Sequence, residues 1–127
     1  MDNKEEYITL FELGCADLKL VEKNLKEEDI SRKILLFHLQ QAVEKFLKSL
    51  LSFADIKFPK THDLEILIET CEDNKINLPE NIFDFVNLTP YSVEFRYTMI
   101  IEEELDLEDY YEKVLNFKVF IEKFYRR

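Results

Sequence analysis

Glycine is almost missing: a single residue in a chain of 127, beside three prolines. Hairpins, bulges and flexible linkers draw on both types, so their scarcity argues against a sheet-rich fold and for helices. Cysteine is scarce as well. Cys15 and Cys71 stand apart, with no CxxC pair and no histidine at ligand spacing, so reduced, packed thiols are expected rather than a disulfide framework or a metal centre. No apolar run approaches the ~20 residues a membrane span needs. The opening, MDNKEEYITL, has neither a basic start nor an apolar core, so no export signal is expected and the cytoplasm is the expected compartment. Basic residues are outnumbered, 17 against 27 acidic ones, for a formal net charge of −10. Phosphate affinity is built from Lys/Arg clusters, so this balance argues against non-specific nucleic-acid binding while leaving room for a local basic site.

What the chain does have is apolar material at helical spacing. Hydrophobic residues make up 46%, enough to bury a core in one domain spanning 1–127. The richest stretch is FHLQQAVEKFLKSLL, Phe37–Leu51. At about 100° per residue, Leu35, Leu36, Leu39, Val43, Phe46, Leu47 and Leu50 fall in one arc of roughly 120°, wide enough for two or three neighbouring helices to cover. Beside it runs a second stripe of polar and small residues: His38, Gln41, Ala42, Lys45 and Ser49. A helix built for a core thus carries a polar edge, and that edge is the chain's most informative feature.

Around this central helix, from about Ile30 to Ala54 with Asp29 or Ser31 as cap, the remaining helices can be laid out. The first runs from about Lys4 to Glu27, its seam stepping through Tyr7, Phe11, Leu18, Val21 and Leu25. Gly14 lies in that seam, where a close helix crossing explains it; tolerated drift is the alternative, since a helix-interior Gly costs about 1 kcal/mol against Ala. Phe58-Pro59 forces an extended connection, after which Thr61 or Asp63 caps a shorter helix through Asp73 with Leu64, Leu67, Ile68 and Cys71 inward. Pro79 suits a first helical turn, with Ile82, Phe85 and Val86 inward. Pro90 then interrupts, and a further helix is expected over Tyr91–Met99. The acidic run 102–109 reads as a solvated helix start. The last helix repeats the seam at Leu107, Tyr110, Val114, Phe117, Ile121 and Phe124. The expected fold is all-α, an antiparallel bundle of four to five helices.

Three blocks in order, FHLQQAVEKFLKSLL at Phe37–Leu51, PKTHDL at Pro59–Leu64 and VEFRYT at Val93–Thr98, make the chain resemble the HEPN family, in the branch that accompanies minimal nucleotidyltransferases. The resemblance implies an antiparallel helical bundle and a homodimer. It also implies a nucleotidyltransferase partner in a two-component, toxin–antitoxin-like module, with a nucleotide as candidate ligand. The family's motif positions fall on His38, Gln41, Glu44, Lys45, Thr61, His62, Asp63, Arg96 and Tyr97. Of these His38, Gln41, Lys45, Thr61, His62, Asp63, Arg96 and Tyr97 are the candidate nucleotide- or partner-binding residues. Thr98 stands where the family commonly has Pro.

Many HEPN domains are metal-independent ribonucleases carrying Arg, four to six residues, then His, so that Arg holds the phosphate while His moves the proton of the ribose hydroxyl. After Arg96 the required positions hold Ile101, Glu102 and Glu103, and none is an imidazole. Arg32 and His38 have the right separation, but on one helix they sit about 120° apart and outside the motif region. No catalytic residue, metal or cofactor is assigned, and an RNA-cleaving toxin with a degenerate site is the alternative reading. Each polar candidate also has a structural role open to it. Lys45 and Arg96 can pair with carboxylates across the bundle, and the Thr61–Asp63 stretch can order a helix start.

Overall fold

Helical periodicity decides the architecture. The computed structural model describes residues 3–92 and 104–126, which form α1 (Asn3–Asn24), α2 (Arg32–Phe53), α3 (Leu64–Asp73), a 3-10 helix (Ile82–Tyr91) and α4 (Leu107–Tyr125). No strand occurs among the described residues. The fold is an all-helical bundle. α2 is its axis: Leu35, Leu36, Leu39, Val43, Phe46, Leu47 and Leu50 are all buried.

Pair contacts give the directions. Tyr7 lies against Phe53 with ring centroids 4.9 Å apart, and Asp17 reaches His38 and Lys45, so α1 runs antiparallel to α2. α4 runs alongside α2 in the same direction, since Arg32 bonds Glu108 at one end and the Tyr125 hydroxyl donates to Ser49 Oγ at the other. Where α1 crosses α2 stands Gly14. A Cβ there would lie 2.6 Å from Phe46 Cε1 and 3.3 Å from the Ala42 carbonyl oxygen, so the close crossing expected at this residue is present.

Local chemistry sets the helix ends. Asp63 is the α3 cap, its carboxylate accepting from Glu65 N at 3.0 Å, while Thr61 Oγ1 accepts from Asp63 N. Asp106, from the acidic run, caps α4 by accepting from Asp109 N. Ser31 holds the α2 cap position without a side-chain capping bond. α2 and α3 both end on a left-handed residue, Asp55 at φ 60° and Lys75 at φ 62°. After each, an amide closes back five residues, Ile56 N onto Leu51 O and Ile76 N onto Cys71 O.

One expectation needs correcting. Pro90 does not interrupt its segment; the 3-10 helix passes through it and Tyr91 closes that helix. The buried residues Ile82, Phe85, Leu88 and Tyr91 recur every three positions, the repeat of a 3-10 helix rather than an α-helix. Val86, expected inward, is half-buried for the same reason. The rest of the helix expected over Tyr91–Met99 lies outside the described residues, apart from Ser92.

Candidate functional site

α2 brings its polar edge up against α1 on one flank and the α2–α3 connection on the other. Each flank supplies or meets one carboxylate. Asp17, three residues after Gly14 on α1, is carried to the edge by the close crossing. Its Oδ1 faces His38 Nδ1 at 2.9 Å and its Oδ2 takes Lys45 Nζ at 2.5 Å. The Asp17 side chain is only 13% exposed.

Glu44 organises the second flank from a position that is 5% exposed. Its Oε1 lies 2.8 Å from His62 Nδ1 and 3.1 Å from Gln40 Nε2, while Oε2 accepts from Lys48 Nζ at 2.9 Å. Gln40 Nε2 also donates to the His62 carbonyl, fixing the connection's backbone to α2. Burying a carboxylate is tolerable only when donors replace the lost water, and three do so here.

The candidates named from sequence therefore do not meet at one point. His38 and Lys45 gather on Asp17, and His62 sits on Glu44. Gln41 lies between and donates to Gln40 Oε1 at 2.7 Å. Thr61 and Asp63 brace the start of α3. Arg96 and Tyr97 lie outside the described residues. Three participants escaped the sequence reading: Asp17, Gln40 and Lys48. For two of them a signal existed, because Gln40, Glu44 and Lys48 form an i, i+4, i+8 ladder on one helix face.

The chemistry open to this arrangement is limited. With Nδ1 committed to a carboxylate, each imidazole keeps Nε2 for proton transfer, and His62, 44% exposed in its side chain, could offer it to solvent. The neighbouring ammoniums, Lys45 and Lys48, are taken up by the same carboxylates. Arg32 bonds Glu108 while His38 bonds Asp17, so that Arg–His pair is not a unit. The thiols are not activated either. Burial pushes the Cys71 thiol up to about 12, and burial raises Cys15 with Lys118 partly offsetting it. Among the described residues no group of His, Cys, Asp or Glu could hold a metal ion.

Set beside known families, residues 9–124 match the HEPN domain, nearly the whole chain. The chain belongs to the HEPN family. No curated protein and no solved structure matches it. In this HEPN domain two carboxylates, Asp17 of α1 and Glu44 of α2, thus hold His38 and Lys45 on one flank of α2 and His62 on the other. No helix among the described residues is long and apolar enough to cross a membrane.

Proposed function

We propose that this HEPN domain is a binding or regulatory subunit, itself a homodimer, paired with a minimal nucleotidyltransferase in a two-component, toxin–antitoxin-like module. The family match supports the pairing, and one observation favours a non-catalytic subunit: His38, Lys45, Lys48 and His62 are each bonded to Asp17 or Glu44. A phosphate arriving at Lys45 would have to compete with a carboxylate already 2.5 Å away. The strip therefore reads better as a network holding α1, α2 and the α3 start in register than as a phosphate or catalytic site. The absence of an imidazole five to seven positions beyond Arg96 points the same way against RNA cleavage.

Co-expression of the tagged chain with a minimal nucleotidyltransferase tests the pairing. A complex of fixed stoichiometry in size-exclusion chromatography is expected; two separate peaks would reject it. Purified protein incubated with mixed-sequence RNA without metal is expected to leave it intact. Cleavage that vanishes in both Arg96→Ala and His38→Ala would establish the toxin reading instead.

A further inference from the structure

Between the start of the 3-10 helix and the middle of α4 lies a cavity of about 170 Å³, built from elements that carry no motif position. Phe85 and Phe117, each 2% exposed, and half-buried Phe120 give it an aromatic wall, with successive ring centroids 5.6 and 6.2 Å apart. Pro79 adds a second apolar surface. A cavity of about 150 Å³ lined by apolar side chains takes up benzene, so this one has room for a single six-membered ring and little more.

The lining selects against charge. Among the described residues its one ionisable group is Lys113, whose ammonium already lies 3.4 Å from Asp84 and 3.8 Å from Asp109, and no carboxylate lines the cavity. An ion entering would lose its water and gain no free counter-charge, which favours an uncharged guest. The polar capacity left over belongs to two carboxamides. Asn81 holds the cap position of the 3-10 helix yet makes no side-chain capping bond. Asn116, exposed on α4, makes no side-chain hydrogen bond among the described residues. Each carboxamide offers donors and an acceptor, enough for one hydrogen-bonding group on the edge of a ring. The aromatic wall is held from behind, since Phe46 meets Phe117 edge-on with centroids 6.0 Å apart. A wall fixed by the core needs little ordering when the cavity fills.

We propose that this cavity binds a small uncharged aromatic molecule, its single ring lying along Phe85, Phe117 and Phe120 and one hydroxyl-type group bonding Asn81 and Asn116. A simple phenol has that chemistry. The site goes beyond the subunit reading and does not rest on it.

Titration of the full chain by heteronuclear NMR, using phenol, toluene, cyclohexanol and benzoate, tests the site. Phenol is expected to shift the side-chain amides of Asn81 and Asn116 and the backbone amides of Phe117 and Phe120. It should bind about fivefold more tightly than toluene, which lacks the hydrogen bond, and about fivefold more tightly than cyclohexanol, which lacks the flat ring. Benzoate should bind at least about tenfold more weakly than phenol, its charge finding no partner. Asn81→Ala with Asn116→Ala should bring phenol down to the affinity of toluene while leaving toluene unchanged. The melting temperature should hold, both side chains being exposed. Phe120→Leu should keep an apolar wall but erase the preference for phenol over cyclohexanol. The proposal is overturned if phenol leaves these signals in place, if toluene or cyclohexanol matches it, if benzoate binds as tightly, or if the double variant binds phenol like the parent. The nucleotidyltransferase complex is a separate readout, so the two readings fail independently.

Discussion

Asp17 holds His38 and Lys45 on its two oxygens, and Glu44 does the same for His62 and Lys48 while also taking Gln40. Removing a carboxylate leaves two or three donors without their acceptor at once, whereas removing a lysine leaves donors that still satisfy the acid. Glu44→Ala should therefore cost roughly 2–4 kcal/mol, between the ~1–3 kcal/mol of an unsatisfied buried group and the ~3–5 kcal/mol of a broken fully buried ion pair. Lys45→Ala, from a side chain 25% exposed, should cost about 1 kcal/mol. Thermal melts check the order, and a double-mutant cycle with Asp17→Ala checks the coupling; unchanged melts would mean that the strip is not structural. The sequence made a carboxylate partner for Lys45 foreseeable but not its identity. Periodicity assigns residues to faces, and the choice among acids on a crossing helix depends on the crossing point, here set by Gly14. At Cys71 a titration should show. The thiol ionises near 9 when unfolded and near 12 when folded, so the native state holds its proton longer. That contribution is full below pH 9 and fades as pH climbs toward 12. Chemical denaturation across this window should show stability falling, and Cys71→Ala should flatten part of the fall. The rest belongs to tyrosines such as Tyr125, which burial also raises.

Helix crossing and helix ending put opposite demands on glycine, and the chain has one to spend. At Gly14, alanine would improve helix propensity by about 1 kcal/mol. Its Cβ would nevertheless meet Phe46 Cε1 at 2.6 Å, and that ring is fully buried between Phe11 and Phe117. The clash should win. Gly14→Ala is expected to lower stability by about 1–2 kcal/mol, and Gly14→Leu by more; a thermal melt at or above the parent's would show that α1 can slide away. At the ends of α2 and α3 the reverse holds. Asp55 and Lys75 adopt φ near +60° with a Cβ, which costs about 1 kcal/mol where glycine would not. Asp55→Gly and Lys75→Gly should each raise the melting temperature, unlike glycine placed anywhere else in these helices. The elements differ in how legible they were. α1 to α4 follow 3.6-residue seams long enough to be unmistakable, with caps of familiar chemistry. The 3-10 helix was misjudged because Pro90 reads as a breaker, although the three-residue spacing of Ile82, Phe85, Leu88 and Tyr91 was already in the sequence.

For the whole molecule, charge and apolar surface work against each other in self-association. The end of the bundle where α1, α2 and α4 meet is aromatic: Tyr7, Phe53, Phe124 and Tyr125 form a connected group of rings. Phe53 is 39% exposed there, and Val119 on α4 is 41% exposed beside half-buried Phe120. Covering such surface with a second copy yields about 25 cal/mol per Å², set against the cost of association. Two copies at −10 each also repel one another. Salt shortens the reach of that repulsion, from about 10 Å at 0.1 M to about 3 Å at 1 M, and leaves the apolar gain intact. The homodimer should therefore tighten as salt is added, the reverse of an interface held by ion pairs. Sedimentation at tens of micromolar (about the concentration of a routine scan) should give twice the 15.4 kDa chain mass, with the dissociation constant falling as salt rises. Val119→Glu, which adds a charge to an exposed apolar position, should weaken the dimer without lowering the monomer's melting temperature. A monomer at every salt concentration would remove the homodimer from the proposal, and a dimer that salt dissolves would place the interface on the charged faces instead.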